Sequence, residues 1–226
     1  MKKKISMVVF DMAGTTINEN NIVYKLLHQV LIDDGYDCSL DLVLAIGAGK
    51  EKKAALKDIL IELGVFAPDN IAERLHQIFN DKLATIYTTA PIVSMDGAEE
   101  LFAQLKLMEI KVVLNTGYDS KTAHFLLQKL HWEIGNHIDG LITASDVLHG
   151  RPSPDMIFLA MQQFHITDAN LVVKIGDSIV DIEEGKNANC GLTIGITTGA
   201  QDEQMLQMAN PDYIIHHLQD ILLLIE

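Results

Sequence analysis

Residues 5–16 read ISMVVFDMAGTT, a short apolar run that ends in Asp11 and a turn containing Gly14. A mainly apolar run of this length, followed at once by a turn, is typical of a buried β-strand. An acidic residue at the end of such a strand lies at the carboxyl edge of an open α/β sheet, which is where these sheets bind ligands. The stretch therefore predicts an α/β fold with Asp11 at its ligand-binding edge.

The rest of the chain alternates apolar runs of strand length with helical patterns. Further strands are predicted over residues 110–114, 140–143, 171–175 and 192–196, and helices over residues 97–108, 120–130, 154–164 and 181–189. Such alternation is typical of a parallel sheet with helices on both faces. We therefore predict a doubly wound α/β core with a mainly parallel sheet.

One region interrupts this alternation. Between the first and second predicted strands only helical patterns occur, over residues 23–34, 40–46, 51–63 and 70–88. An all-helical insert at this point, closed by Ala90-Pro91, predicts a small cap domain over the ligand-binding edge of the sheet. We expect residues 1–18 and 91–226 to form the core domain and residues 19–90 to form the cap domain.

Composition limits the classes of partner. The chain of 226 residues has a hydrophobic fraction of 48% and a formal net charge of −14. This hydrophobic fraction is sufficient for a packed core, which argues against intrinsic disorder. The negative charge argues against nucleic acid or an anionic membrane as a partner, although a local site can still bind a small anion.

The cysteines and the apolar segments bear on localisation. Cys38 and Cys190 are far apart and lack the spacing of a zinc or redox pair, which favours reduced thiols. The basic residues 2–4 precede an apolar run that reads as a first strand and not as a signal peptide. No apolar stretch is long enough to cross a bilayer. We therefore expect a cytoplasmic protein without a membrane partner.

Three further polar segments follow predicted strands or precede predicted helices. They are Asn115-Thr116-Gly117-Tyr118, Gly150-Arg151-Pro152-Ser153-Pro154 and Gly176-Asp177-Ser178-Ile179-Val180-Asp181. With Asp11 they supply a carboxylate nucleophile, a hydroxyl, a fixed cation and an acidic pair, which is the set of groups that phosphoryl transfer requires. Carboxylates combined with phosphate oxygens favour Mg²⁺ as the cofactor. The expected substrate is a small phosphorylated or phosphonate compound.

In order and content these segments resemble the haloacid dehalogenase-like hydrolase superfamily over essentially the whole chain. The resemblance implies a Rossmann-like core and an aspartyl-phosphate intermediate on Asp11. It also implies that Thr116 binds phosphoryl oxygens and that Arg151 balances their charge. The metal ligands that it implies are Asp11, the backbone carbonyl of Ala13 and Asp177, with Asp181 as a second acidic residue that acts directly or through water.

Within that superfamily the chain looks most similar to the phosphonatase-like branch. Ala13 stands where many relatives have an aspartate that protonates the leaving group, and Arg151 stands where most have a lysine. Tyr118 follows the Thr116-Gly117 pair, as in that branch. The resemblance implies that Ala13, Gly117 and Tyr118 contact the substrate.

Lys50, in the predicted cap, has two possible roles. The founding enzyme of the branch has a lysine three residues after a cap glycine, and that lysine forms a Schiff base with phosphonoacetaldehyde; Lys50 has this spacing from Gly47. Capture of an aldehyde needs a neutral amine, with a pKa well below the reference of about 10.4. Ile46 and Lys53 depart from the methionine and histidine of that enzyme. Lys50 is therefore either the imine-forming residue or a cation that contacts the substrate.

Three functions follow as hypotheses. The first is Mg²⁺-dependent hydrolysis of a small phosphate ester or acyl phosphate, in which another group replaces the acid missing at Ala13. The second is cleavage of the C–P bond of phosphonoacetaldehyde through Lys50. The third is a weakly catalytic protein that binds a phosphorylated metabolite. The sequence is compatible with a monomer or a homodimer.

Overall fold

The computed structural model describes residues 2–226. Its strands are β1 (Met7–Asp11), β2 (Ile17–Asn18), β3 (Val93–Ser94), β4 (Lys111–Thr116), β5 (Gly140–Thr143), β6 (Val172–Gly176), β7 (Leu192–Ile196) and β8 (Tyr213–Ile215). Six of them form one parallel sheet in the order β5-β4-β1-β6-β7-β8. Because β1 pairs with β4 on one side and β6 on the other, the carboxyl ends of these three strands meet at one edge.

Helices cover both faces of this sheet. They are α1 (Ile22–Asp33), α2 (Leu40–Gly47), α3 (Lys52–Glu62), α4 (Asp69–Thr89), α5 (Ala98–Leu107), α6 (Ser120–Lys129), α7 (Asp155–Gln163), α8 (Ile179–Asn187) and α9 (Glu203–Met208). Along β1, Val8 and Phe10 join the core that contains residues of α5 and α6, whereas Met7 and Val9 join a second core with residues of α7. Successive side chains of a strand point to opposite faces, so both faces are buried. The predicted fold class is confirmed.

Helices α1–α4, which we call the helical insert, lie between β2 and β3 in the chain. Their apolar side chains pack together; Leu27 of α1, Leu56 and Ile59 of α3 and Leu75 of α4 are fully buried. β2 and β3 pair in antiparallel fashion where the chain leaves the sheet and returns to it. The insert therefore rests on a two-stranded base next to the end of β1.

The structure contains β2, β3, β8 and α9 in addition to the predicted elements. β2 and β3 have 2 residues each, which is too short for a periodic signal. β8, at the edge of the sheet, has only 3 residues, so its apolar run is also too short for a clear strand signal. The predicted strands and helices otherwise agree with the structure to within 2 residues. Within residues 2–226, no helix is both long enough and apolar enough to span a bilayer.

Candidate active site

Three of the predicted site residues lie at the carboxyl ends of adjacent strands. Asp11 is the last residue of β1, Thr116 is the last residue of β4, and Asp177 follows directly after β6. In the sheet, Asp11 is paired in register with Asn115 of β4. All four side chains are buried. The parallel topology therefore brings together residues that are far apart in sequence.

A tight turn after β1 forms one wall of the site. The Met12 carbonyl accepts backbone hydrogen bonds from Thr16 at 2.9 Å and Ile17 at 2.8 Å. Gly14 has a φ of +85°, and a Cβ at this position would lie 2.4 Å from Asp177 Oδ2. Because glycine has no Cβ and tolerates this φ, the turn can approach the Asp177 carboxylate closely.

Arg151 is buried at the centre of the site. Its Nη1 donates to Asp11 Oδ1 at 2.6 Å, and its Nη2 donates to the backbone carbonyl and side-chain oxygen of Asn115 at 2.6 and 2.7 Å. Nη1 also lies 3.0 Å from Asp181 Oδ1. Burial disfavours the charged guanidinium, but the carboxylates of Asp181, Asp11 and Glu184 together raise the pKa of Arg151. Arg151 therefore remains a cation beside Asp11.

A second layer of charges lies behind these residues. Lys174 donates to Asp181 Oδ1 at 2.5 Å and lies 3.5 Å from Glu184 Oε2. The Asn115 amide donates to both oxygens of Glu184, at 2.8 and 2.9 Å. Despite burial, Arg151 and Lys174 lower the pKa of Asp181. Asp181 is therefore ionised and engaged by two cations, so in this structure it supports Arg151.

We call the six buried ionisable groups of these two layers the charge cluster: Asp11, Arg151, Lys174, Asp177, Asp181 and Glu184. It contains four carboxylates and two cations, so its net charge is −2 when every group is ionised. Burial, followed by the Asp11 and Asp181 carboxylates, raises the pKa of Asp177 well above its usual value. Burial also raises the pKa of Asp11, although Arg151 opposes this effect. The described residues therefore compensate the ionised forms of Asp11 and Asp177 only in part, and a bound cation would stabilise them.

This donor set fits Mg²⁺. The carboxylates of Asp11 and Asp177 are hard oxygen ligands, and Ala13 belongs to the turn that follows Asp11 and approaches Asp177 at Gly14. Within residues 2–226, no group of three or more His, Cys, Asp or Glu side chains is arranged to hold a metal. Mg²⁺ commonly uses only one or two carboxylates together with water and substrate phosphate oxygens, so two carboxylates suffice.

Thr116, Gly117 and Tyr118 form the side of the site that meets the helical insert. Thr116 Oγ1 accepts a hydrogen bond from the Tyr118 backbone N–H at 3.2 Å. A Cβ on Gly117 would lie 2.7 Å from the Lys50 carbonyl oxygen, so the insert packs directly against this glycine. The Gly49 carbonyl also accepts from Arg151 Nη1 at 3.3 Å. The loop of residues 47–50 therefore closes over the edge of the sheet.

The side chain of Lys50 is engaged within the insert. Its Nζ donates to Asp58 Oδ2 of α3 at 2.6 Å, and the lysine side chain is 21% exposed. The backbone of Lys50 is thus at the site through Gly117, whereas its ammonium is paired with Asp58. The structure does not bring the Lys50 ammonium together with Asp11.

Five buried side chains, which we call the interface cluster, gather where the insert meets the sheet: Glu19, Tyr24, Lys52, Tyr87 and Tyr118. The hydroxyls of Tyr87 and Tyr118 are 2.8 Å apart, and Tyr87 also donates to Glu19 Oε2 at 3.3 Å. Lys52 Nζ lies 5.5 Å from the ring centroids of both Tyr24 and Tyr118. The polar groups of the insert that approach the site are therefore mainly aromatic hydroxyls and one lysine.

Both charged members of the interface cluster have pKa values shifted towards neutrality. Burial raises the pKa of Glu19 to about 7. Burial lowers the pKa of Lys52 to about 8, and the Asp11 carboxylate partly opposes this shift. No salt bridge joins Lys52 to a carboxylate within the described residues. These two groups are therefore able to exchange protons near neutral pH.

A cavity of about 250 Å³ opens from the interface cluster. Lys52 and Tyr118 line its inner part, and His76, Asn80 and Asp119 line other parts of its wall. A second cavity of about 430 Å³ between α4 and α6 shares Asn80 and Asp119 with it. The two cavities are therefore neighbours where α4 faces the loop after β4.

Several of these residues were not predicted from the sequence to be functional. Lys174 had a usable signal, because it is a charged residue inside an otherwise apolar strand. Glu184 lies one helical turn after Asp181 on α8, which places both on one face. Glu19 and Lys52 had no comparable signal, because each resembles a surface residue in its local sequence.

The fold and the site together define the class of the protein. A six-stranded parallel sheet, an acidic residue at the end of its first strand and a charge cluster behind it are features of a hydrolase with an aspartate-centred site. The family described as haloacid dehalogenase-like hydrolase matches residues 5–189, and the chain belongs to this family. The predicted family and enzyme class are thus confirmed.

The individual relatives described below have low sequence identity to this chain. The chain is 28% identical to a phosphonoacetaldehyde hydrolase of Latilactobacillus sakei, with 96% of this chain and 93% of that protein covered. A hydrolase structure from Pseudomonas syringae superposes with a TM-score of 0.84 at 22% identity, covering 96% of each chain. A phosphonoacetaldehyde hydrolase-like protein from Oleispira antarctica gives a TM-score of 0.83 at 22% identity, covering 96% of this chain and 90% of that one. These two structures share the fold of this chain.

Proposed function

We propose that the protein is a Mg²⁺-dependent hydrolase that transfers a phosphoryl group from a small metabolite to Asp11 and then to water. The observation that carries this proposal is the position of the Asp11 carboxylate. It lies at the sheet edge, 2.6 Å from the Arg151 guanidinium and adjacent to Thr116 through the β1–β4 pairing. A carboxylate in this setting is a nucleophile beside a fixed cation that can stabilise phosphoryl charge.

Each remaining site residue has a role in this proposal. The Thr116 hydroxyl and the backbone of Gly117 bind phosphoryl oxygens, and Tyr118 contacts the part of the substrate that leaves. Asp181 holds Arg151 in place. Asp11, Asp177 and the Ala13 carbonyl hold Mg²⁺, which supplies charge neutralisation at the phosphoryl oxygens when bound.

We propose that the helical insert acts as a cap. Two observations support this role. The loop of residues 47–50 contacts Gly117 and Arg151, and Asp11 is buried while the insert is in this position. Substrate entry then requires the insert to move away from the sheet, and its return excludes water from the phosphoryl group. We place the enzyme in the cytoplasm, with its two cysteines as free thiols.

The direct test is phosphate release with and without Mg²⁺ from a panel that contains acetyl phosphate, sugar phosphates, nucleotides and phosphonoacetaldehyde. We expect Mg²⁺-dependent release from at least one substrate. Asp11→Asn should abolish turnover without unfolding the protein, because the amide is not a nucleophile. Turnover by Asp11→Asn at the rate of the wild type would contradict covalent catalysis by this residue.

Cleavage of phosphonoacetaldehyde is a second candidate function. It is favoured by the relatives named phosphonoacetaldehyde hydrolase, which match most of the chain. In this reaction a lysine imine withdraws electrons, so that the C–P bond breaks without the acid missing at Ala13. Lys50 is the residue that the spacing assigns, and it would have to leave Asp58 to reach the aldehyde.

Borohydride separates the two candidates. Reduction in the presence of phosphonoacetaldehyde should inactivate an imine-forming enzyme and add the mass of the reduced adduct to one lysine. Lys50→Arg keeps the positive charge but forms no imine, so it should abolish C–P cleavage and have only a mild effect on ester hydrolysis. Absence of an adduct, together with turnover of phosphate esters or acyl phosphates, would exclude the second candidate.

A further inference from the structure

Lys52 is a buried amine with unused hydrogen-bonding capacity. It is the first residue of α3 and is only 7% exposed. Its Nζ donates one hydrogen bond, to the Lys50 carbonyl at 2.7 Å. An ammonium group has three donors. Besides the Lys50 carbonyl, this ammonium faces the rings of Tyr24 and Tyr118, with centroids 5.5 Å away, and the described residues provide no further oxygen or nitrogen acceptor. Since buried donors normally have hydrogen-bond acceptors, we expect the Lys52 ammonium to donate to a bound ligand.

The surroundings of Lys52 indicate where that partner lies. Lys52 lines the cavity of about 250 Å³ between the helical insert and the sheet, together with Tyr118. Gly117 also lines this cavity, and it directly follows Thr116, the last residue of the strand that pairs with β1. The Asp11 carboxylate partly opposes the lowering of the Lys52 pKa. The cavity therefore places the Lys52 amine beside the residues that we propose bind the phosphoryl group.

The site lacks an acid at the usual position. Ala13 follows Asp11 by two residues and carries no proton to donate. Glu19 can also carry a proton, but its Oε2 accepts from the Val23 N–H and the Tyr87 hydroxyl, and Glu19 is not among the residues that line the cavity. The other nearby donors are the Tyr24 and Tyr118 hydroxyls, and burial raises the pKa of both well above the usual tyrosine value. Arg151 is a poorer acid still, because the carboxylates of the charge cluster keep it protonated.

We propose that Lys52 is the general acid of the reaction, and that its ammonium protonates the oxygen of the leaving group within the cavity it shares with Tyr118. This inference rests on the proposed phosphohydrolase function and adds one catalytic residue to it. The leaving group is then a small oxygen-bearing fragment that stacks beside the Tyr118 ring, with its oxygen towards Lys52.

Lys52 gives up one proton and regains one proton in each turnover. In the first step a carboxylate oxygen of Asp11 forms a bond to phosphorus, the P–O bond to the leaving group breaks, and a proton moves from Lys52 Nζ to the leaving oxygen. In the second step water attacks the same phosphorus, the bond to Asp11 breaks, and neutral Lys52 takes the proton from the water. The products are an alcohol and phosphate, and Lys52 is again an ammonium.

The charged and titratable groups that face Lys52 come from every neighbouring element. They are Asp11 of β1, Glu19 between β2 and α1, Tyr24 of α1, the preceding Glu51, Tyr118 after β4, and Arg151, with His76 and Asp119 across the cavity. Burial moves the pKa of Lys52 to about 8, which matches the acid to neutral conditions.

The decisive experiment compares leaving groups. Wild type, Lys52→Met and Lys52→Arg are assayed with Mg²⁺ on ethyl phosphate, whose alkoxide needs a proton, and acetyl phosphate, whose acetate does not. We expect both variants to lose roughly 10²–10³-fold in kcat/KM on ethyl phosphate and less than about tenfold on acetyl phosphate. Lys57→Met is the matched control; Lys57 lies on the same helix, is exposed and pairs with Asp69.

The pH profile gives a second readout. The wild-type kcat/KM should fall above a pH of about 8, and this alkaline limb should be absent from both Lys52 variants. Circular dichroism checks the fold of each variant. If the wild type turns over only one of the substrates, the alkaline limb alone decides the role of Lys52.

The outcomes separate this inference from the function on which it rests. Equal losses on both substrates, or an alkaline limb that persists in Lys52→Met, would overturn the acid role and leave Asp11 chemistry intact. Release of phosphate by the wild type from none of the substrates, here or in the wider panel, would overturn both. A borohydride-stable adduct on Lys52 with phosphonoacetaldehyde would also overturn the acid role, because the residue would then be an imine former.

Discussion

The charge cluster and the interface cluster are both buried, but their charges are compensated differently. In the charge cluster the cations contact carboxylates directly, as in the 2.6 Å contact from Arg151 to Asp11 and the 2.5 Å contact from Lys174 to Asp181. In the interface cluster Lys52 and Glu19 are bound by neutral partners. Direct pairing outweighs burial for Arg151 and Asp181 and keeps both ionised. Burial without an ionic partner moves the pKa of Lys52 and Glu19 towards neutrality.

This difference indicates that the two clusters have different roles in turnover. Arg151 and Asp181, which several short contacts keep ionised, fix the position of the nucleophile and are expected to keep their protonation during turnover. Groups that burial brings close to neutrality can gain and lose protons at little cost. The same chemical substitution should therefore have opposite consequences for stability in the two clusters.

The largest effect is expected from Arg151→Met. The variant leaves Asp11, Asp181 and Glu184 without their shared cation in a buried site. Removal of one partner from buried ion pairs costs about 3–5 kcal/mol. Urea unfolding without Mg²⁺ should show this loss, and the exposed control Lys57→Met should lose less than about 1 kcal/mol. If Arg151→Met lost as little stability as the control, the claim that Arg151 directly compensates the buried carboxylates would be refuted.

Asp181→Asn should also destabilise the protein, by about 3 kcal/mol. The folded state lowers the pKa of Asp181 because Arg151 and Lys174 outweigh the effect of burial. The stabilisation is therefore present above the unfolded pKa and is lost as the pH falls through the folded value. Unfolding free energies measured over an acidic pH series should converge for wild type and variant at low pH; a constant difference would contradict this account.

Lys52→Met should stabilise the protein by about 1–3 kcal/mol at pH 7. The folded pKa of Lys52, about 8, lies below the usual 10.5, so the protonated lysine opposes folding. The gain should be complete below pH 8 and disappear as the pH approaches 10.5. Denaturant unfolding at neutral and alkaline pH measures it, and destabilisation at pH 7 would show that the ammonium is paired after all.

Glu19→Gln is the counterpart of Asp181→Asn, and it should change the free energy of unfolding in the opposite direction. Burial raises the pKa of Glu19 from 4.5 to about 7, so the ionised form opposes folding above pH 7. We expect a gain of about 1–2 kcal/mol at pH 8 that declines between pH 7 and pH 4.5. Loss of the Glu19 charge should also shift the alkaline limb of activity to lower pH, because Glu19 raises the pKa of Lys52.

The smallest effect is expected from Tyr87→Phe. This variant removes the hydroxyl that bonds to Tyr118 at 2.8 Å and to Glu19 at 3.3 Å. Loss of such hydrogen bonds costs about 0.5–1.5 kcal/mol. Because the Tyr87 hydroxyl lowers the pKa of Glu19, the variant should also raise that pKa further, which titration of the stability difference against pH would detect. An unchanged pH dependence would show that the Tyr87 hydroxyl has no effect on the pKa of Glu19.

Much of the fold was predictable from local patterns. The strands that form the centre of the sheet are apolar runs, and the helices of the insert show clear amphipathic spacing, so both were located to within 2 residues. The short β2 and β3 were missed because two residues carry no periodicity. Their pairing joins Ile17 to Ser94, which are separated by the whole insert.

The candidate site was predictable to the extent that its residues follow strands. Asp11, Thr116 and Asp177 were assigned to one edge because parallel strands end together. Lys50 was assigned by its spacing from Gly47, but spacing gives no information on where an ammonium group points. In the fold that group pairs with Asp58, and the lysine two residues later is the buried one.

The class of fold, the family and the residues at the ends of the strands can be read from the amino-acid sequence, because they depend on periodicity and on short contiguous motifs. Which charges are paired and which are merely buried becomes visible only in the folded chain. Glu19, Lys52 and Tyr118 come from three separate segments, and their pKa values depend on the water that packing removes from all of them together. Desolvation is a property of the assembled neighbourhood, so no local pattern encodes it.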